Sequence, residues 1–172
     1  MRRKSMPEET TAPSERPAEG TPAPDFALAS QTSETPIRLS DYRGKQAVVL
    51  YFYPKDDTPG CTAESCKFRD MQGEYAAAGA AILGISLDDV ESHRRFADKF
   101  KLSFPLLADI DNAVSAAYGV YKEKNFYGKK SMGIERTTFV IDLEGKIAKV
   151  FPRVKVDQHG DEVLAFLRTL PG

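Results

Sequence analysis

The chain has 172 residues, 41% of them apolar, which is enough for one domain that buries most of its nonpolar surface without metal or disulfide staples. Its 24 basic and 25 acidic residues leave a formal charge of -1 at pH 7, so no field of one sign recruits nucleic acid or an anionic membrane. Two cysteines are too few for the disulfide framework of a secreted miniprotein or for a four-cysteine zinc site, so they are free for chemistry in a reducing compartment.

The first 24 residues contain five prolines and no Val, Ile, Leu or aromatic side chain, and their charges cancel. Such a segment cannot offset its ordering entropy, so residues 1–23 are predicted to be a mobile Pro-rich tail and 24–172 the folded domain. Arg2, Arg3 and Lys4 are followed by no apolar h-region, and Glu8, Glu9, Glu15 and Glu19 count against a transit peptide. With no run long enough to span a bilayer, a soluble, cytoplasmic protein is expected.

From Phe26 the pattern becomes globular, with short extended pieces at Phe26 to Leu28 and Ile37 to Leu39, then a turn region from Asp41 to Gly44. Ala47 to Tyr53 is an unbroken apolar, β-rich run, as a strand shows when both faces of its sheet are covered, and Pro54 ends it. After the loop Lys55 to Gly60, the residues Cys61, Glu64, Phe68, Met71, Tyr75 and Ala78 step by three and four along one helix face, which Gly79 stops. Ala80 to Leu87 reads as the next strand, and Asp88 with Glu91 as the cap of a helix through Phe100. A short strand at Leu106 to Ala108 and a helix near Ala113 to Tyr118 lead to a long polar loop, Lys122 to Gly133. Thr137 to Ile141 and Lys146 to Phe151 flank a turn and form an antiparallel hairpin, and a last helix covers about Asp157 to Leu170. This order gives an α/β sandwich with a mixed central sheet and helices on both faces, the arrangement of the thioredoxin fold.

A reactive cysteine acts as its thiolate, and a free cysteine with pKa of about 8.5 is only slightly ionised at neutrality. Cys61 sits where a helix begins, beside unpaired backbone N–H groups and the positive end of the dipole, both of which favour the anion. Glu64 shares its inward stripe, and a buried carboxylate needs a partner. Arg136, at the entry to the strand Thr137 to Ile141, is expected to be held by Glu64 and to aim its remaining donors at Cys61 and at an oxygen bound beside it. The Thr58 hydroxyl is placed to donate to the thiolate or bound oxygen, and the Pro54 ring to keep water off. Singly, each has an ordinary explanation as a packed thiol, a cap, a dipole-compensating acid, a surface cation or a strand terminator. Their joint spacing is what carries the reading.

The run Pro54 to Cys61, proline, three residues, threonine, two residues, cysteine, resembles the peroxiredoxin active-site pattern. Continued to Cys66, the segment YFYPKDDTPGCTAESC resembles the peroxiredoxin Q group, or bacterioferritin comigratory proteins, and the likeness extends over Pro24 to Leu170 through PDFAL, LSDYRGK, GISLDD and ERTTFVID. The resemblance implies a thiol peroxidase for hydrogen peroxide and organic hydroperoxides in antioxidant defence, with Pro54, Thr58, Cys61 and Arg136 in catalytic roles. It implies Cys66 as resolving cysteine, a Cys61–Cys66 disulfide recycled by thioredoxin or a similar dithiol protein, no cofactor, and a monomer. Thr137 then falls where thioredoxins carry a cis-proline. In a continuous helix, cysteines five residues apart stand about 140° apart with Cα atoms ~8.6 Å from each other. A disulfide tolerates about 7 Å, so the first turns of the helix must unwind in each cycle.

Alternatives remain at this level. A thioredoxin-like dithiol reductase usually separates its cysteines by two residues, where four intervene here. A peroxiredoxin-fold interaction or chaperone module would consume no peroxide. A cysteine hydrolase would need a histidine base, yet neither His93 nor His159 is tied by sequence to Cys61, and both are expected to be partly exposed or packing residues. Lys122, Lys124, Lys129 and Lys130 with Tyr121, Phe126 and Tyr127 are read as a solvated loop at the mouth of the site rather than a nucleic-acid patch. No group of His, Cys and acids has metal-ligand spacing.

Overall fold

The computed structural model describes residues 15–170. Nine strands and five helices follow in the order β1 (Ala27–Ser30), β2 (Ser33–Arg38), β3 (Ala47–Phe52), α1 (Pro59–Asp70), α2 (Gln72–Ala77), β4 (Ala80–Ser86), α3 (Val90–Phe100), β5 (Leu106–Ala108), α4 (Ala113–Ala117), β6 (Tyr121–Phe126), β7 (Lys129–Ile134), β8 (Thr137–Ile141), β9 (Ile147–Phe151) and α5 (His159–Leu167). Seven strands form one mixed sheet in the order β2-β1-β5-β4-β3-β8-β9, with β3, β4 and β5 parallel and the flanking pairs antiparallel.

The alternation of a strand's side chains explains why β3 is apolar at every position. Val49, Tyr51 and Tyr53 face a core built with Phe68 of α1, Tyr75 of α2, Phe96 of α3 and Leu164 of α5. Val48, Leu50 and Phe52 face a second core with Phe139, Leu83, Ile85 and Tyr118, against which Val114 of α4 packs. Helices therefore cover both faces, as the sequence predicts. Glycine opens room between the layers at Gly84, where an added Cβ would stand 2.8 Å from Tyr51 Cζ and 2.9 Å from Leu106 Cδ2.

Several boundaries differ from expectation. The long helix after Cys61 breaks at Met71 into α1 and α2. Asp89, not Asp88, caps α3, accepting from Ser92 N at 2.8 Å. Lys122 to Gly133 is not a loop but the hairpin β6–β7, closed by Tyr127 and Gly128 at φ 52° and 79°. Both turn residues are left-handed, as a two-residue hairpin turn requires, but a Tyr-Gly pair and strands full of lysine carry little of the usual hairpin signature.

The predicted tail boundary also shifts. Gly20 N donates to Ile147 O at 2.7 Å, Ile147 N to Thr21 O at 2.9 Å, and Val150 N to the Glu19 carboxylate at 3.0 Å. Residues 19–22 thus shield the outer edge of β9, which would otherwise present free N–H and C=O groups. Residues 1–14 of the expected tail lie outside the described residues.

Gly84→Ala should destabilise the domain by about 1–3 kcal/mol, because the new methyl presses on two side chains that cannot retreat from a filled core. Urea unfolding of the variant checks this, and an unchanged midpoint contradicts it.

Candidate active site

β3 and the adjoining β4 end at the same rim of the sheet, and the chain from Pro54 to Thr58 crosses that rim before α1 begins. Asp57 turns it with φ 59°, and Thr58, extended at φ -98°, ψ 156°, precedes Pro59 at the first helical position, where a missing N–H costs nothing. The first intrahelical bond runs from Thr62 N to Thr58 O at 2.8 Å. The amides of Gly60 and Cys61 come before that bond, so the Cys61 sulfur lies within the positive end of α1.

Arg136 reaches this turn from the start of β8, placed by its carbonyl, which accepts from Val154 N at 2.9 Å. Its Nη1 donates to Glu64 Oε1 at 2.6 Å and its Nη2 to Cys61 Sγ at 3.3 Å. One planar guanidinium therefore joins the carboxylate and the sulfur, as the shared helix stripe predicts. It lies over Gly60, where an added Cβ would stand only 3.0 Å from Nη2, so any side chain at 60 would press on the fork. Cys61 is 1% exposed and Glu64 2%, while Gly60 and Arg136 are partly exposed and border the sulfur.

Burial pushes the Glu64 carboxyl up to about 7 against the opposing pull of Arg136. Its Oε2 has no partner among the described residues, which is the physical root of that rise: one oxygen is served by the guanidinium and the other is desolvated without compensation. Burial also works against the Arg136 charge, but the neighbouring Glu64 and Cys61 outweigh it and hold the guanidinium above its ordinary value.

The other predicted residues fall around this centre with one difference. Pro54 is partly buried at the end of β3. The Thr58 hydroxyl donates to Lys55 O at 2.9 Å rather than to Cys61, because the tight turn brings that carbonyl back to it. Cys66 is partly exposed further along α1, beside Arg69, and both cysteines are free thiols. Between them, Glu64 is held by Arg136, and Ser65 shares a 2.8 Å hydrogen bond with the Tyr51 hydroxyl.

Neither histidine is partly exposed. His93 is 0% exposed, with Nδ1 2.7 Å from Asp56 Oδ2 and Nε2 2.9 Å from Leu107 O. His159 is buried between Phe68 and Phe151, bonded to Thr138 and Glu162, and burial pushes its imidazolium down. Lys124, grouped in the sequence with solvated lysines at the mouth of the site, has its stem against Gly133 across the β6–β7 hairpin. Burial and Arg136 push its ammonium down while Cys61 and Glu135 oppose that, so the site's field reaches it. Nothing in the spacing of a lysine-rich segment distinguishes this lysine from its solvated neighbours. Among the described residues no cluster of His, Cys, Asp and Glu could hold a metal ion.

Residues 20–150 match the model of the AhpC/TSA family. The chain belongs to that family and is a peroxiredoxin of the Q type. It is 47% identical over 151 residues to the peroxiredoxin Bcp of Bacillus subtilis, covering 88% of this chain and 95% of that one. Against the peroxiredoxin Bcp of Xanthomonas campestris it is 50% identical over 148 residues, covering 86% and 92%. A solved structure of the X. campestris bacterioferritin comigratory protein, studied for its alkyl peroxide reduction activity, superposes with a TM-score of 0.81 at 43% identity, over 86% of this chain and 92% of that one. This peroxiredoxin is accordingly a thiol peroxidase.

Because the folded Glu64 value is raised, the folded state keeps a proton that the unfolded chain has released. The corresponding stability is complete below the ordinary carboxylate range and is lost as pH rises through about 7. Glu64→Gln cannot ionise and should lack this slope, so its stability relative to the wild type should increase between about pH 5 and about pH 8 in urea titrations. A difference independent of pH would show that Glu64 does not titrate there.

Proposed function

We propose that Cys61 is the peroxide-reducing thiolate and Cys66 the thiol that resolves it, with a hydroperoxide as substrate and thioredoxin or a similar dithiol protein as reductant. The observation that carries this reading is the Arg136 fork, with one nitrogen on Glu64 and the other 3.3 Å from the Cys61 sulfur.

In the oxidation step the Cys61 thiolate attacks the terminal oxygen of R–O–O–H. A sulfur–oxygen bond forms, the O–O bond breaks, and the sulfur becomes sulfenic acid while RO⁻ takes a proton and leaves as ROH. Negative charge moves from sulfur to the leaving oxygen, and Arg136, held in one orientation by Glu64, faces both ends of that path. Thr58 keeps its own hydrogen on the Lys55 carbonyl, so its oxygen accepts the terminal peroxide O–H and fixes which oxygen is attacked. Pro54 closes the rim of the loop against water.

In the resolving step the Cys66 sulfur attacks the Cys61 sulfur, a disulfide forms, and the hydroxyl leaves as water with the Cys66 proton. Both cysteines belong to one continuous helix, where ideal geometry sets their Cα atoms ~8.6 Å apart, beyond the reach of a disulfide. The turn between them must open, which breaks the Arg136–Glu64 pair and the Tyr51–Ser65 hydrogen bond. The dithiol reductant then receives the disulfide by exchange and restores two thiols.

Cys61→Ser should abolish peroxide consumption. Cys66→Ser should consume one equivalent and accumulate a sulfenic acid that a dimedone-type probe labels, as seen by intact-mass spectrometry; absence of the label removes the resolving role. Arg136→Ala should slow oxidation of Cys61 by about 10²- to 10³-fold, the usual loss for a donor facing developing charge, in stopped-flow measurements. An unchanged rate would remove its assigned role.

A further inference from the structure

The chain ahead of Cys61 is held by a second buried network that the peroxide chemistry does not use. Asp56, five residues before the sulfur, is 7% exposed, and its carboxylate accepts from the Tyr53 hydroxyl at 2.6 Å and from the Ser92 hydroxyl at 2.8 Å. His93 Nδ1 lies 2.7 Å from the same Oδ2. The Asp56 amide in turn donates to Asp88 Oδ2 at 2.8 Å, which also takes the Ser86 hydroxyl at 2.8 Å. Asp57 adds an exposed contact to Lys99 at 2.9 Å.

Hydrogen-bond logic fixes where one proton lies. His93 Nε2 faces the Leu107 carbonyl at 2.9 Å, and a carbonyl can only accept, so Nε2 carries a proton. Nδ1 then faces a carboxyl oxygen, and a bond there places a second proton between Nδ1 and Oδ2. The imidazole and the carboxyl are thus joined by a buried hydrogen bond rather than by mere proximity. The partners are Tyr53 just after β3, Ser86 at the end of β4, Asp88 in the turn before α3, Ser92 and His93 of α3, and Leu107 of β5; none belongs to α1.

The contacts on either side of Cys61 therefore differ in kind. Downstream, Glu64 and Ser65 are held by single bonds that disulfide formation must release. Upstream, Asp56 is pinned to a part of the fold that disulfide formation leaves alone. We propose that Asp56 and His93 are a positioning pair that fixes the thiol loop to α3 and β5, so that α1 opens only on the C-terminal side of Cys61 and the sulfur returns to Arg136 after each cycle. This rests on the assignment of Cys61 and Cys66 given above.

The distinguishing experiment separates oxidation from resolution by stopped flow and adds a conservative rescue. Asp56→Ala should slow Cys61 oxidation by about 10- to 100-fold through misplacement of the sulfur while leaving the Cys66 step as fast or faster. Asp56→Asn should restore oxidation to within about threefold of wild type, since its amide can donate to a neutral His93 Nδ1 and its oxygen still accepts from Tyr53. A merely structural role would lower both steps together. Equal losses in the two steps, an unaffected Asp56→Ala protein, or an Asn variant no better than Ala would each overturn the proposal. Should Asp56→Ala fail to fold, hydrogen exchange on the wild type decides. Amides of residues 55–58 should be equally protected in the reduced and disulfide forms while those of 61–66 lose protection on oxidation, and loss across both stretches overturns it. A wild type that neither reacts with peroxide nor forms the disulfide sinks the cysteine assignment instead, and leaves a different signature from a normal wild type with an indifferent Asp56.

Discussion

A desolvated carboxylate with a single partner among the described residues governs the architecture around the sulfur. Glu64 faces inward because α1 must turn the stripe that carries Phe68 toward the sheet, and the same rotation carries Cys61 inward. Once buried, the acid requires a cation. Arg136 satisfies one oxygen of the acid and, through the fixed geometry of its fork, cannot do so without presenting its second nitrogen to the sulfur. Oε2 has no partner among the described residues, so half of the carboxylate stays desolvated, which is what raises its value.

Helix α1 is accordingly fastened unequally along its length. Its C-terminal half is locked into the fold: Phe68 is in the core, and a Cβ at Gly160 would meet Lys67 Cγ at 2.9 Å and Met71 Sδ at 3.0 Å, so α5 rests directly on it. Tyr75, just beyond, donates its hydroxyl to Gly160 O at 2.6 Å. In the N-terminal turns Cys61 reaches the core, while Glu64 and Ser65, between the two thiols, are held by polar contacts. Local unfolding concentrates where few apolar contacts hold the backbone, and here that stretch lies between the two thiols.

The sheet supplies the rigidity this asymmetry needs. β3 is buried on both faces, so the rim from which the thiol loop departs cannot shift without disturbing two cores. β8 lies beside β3 with Phe52 opposite Thr137, which sets Arg136 at the same rim, one residue before the pair. The guanidinium and the sulfur thus come from segments far apart in sequence yet descend from adjacent strands of one sheet.

The chain itself determined the elements whose periodicity one face or both faces of a core dictate: β3, β4, α3, β8, the closing hairpin with β9, and the helix that carries Cys61. It also determined the grouping of Cys61 with Glu64, because helical spacing is a local property, and it indicated Arg136 through its place before an apolar strand. What only the tertiary structure decided depends on partners distant in sequence. The β6–β7 hairpin buries too little to show alternation, and the segment 19–22 is ordered by the edge of β9 rather than by apolar content of its own. Asp56 and His93 read as a loop acid and a helix histidine until α3 packs beside the loop, and the Thr58 hydroxyl turns to a carbonyl that only the closed turn supplies. Hydrophobic periodicity is written along the chain, whereas a polar contact exists only where folding removes water and brings donor and acceptor within about 3 Å.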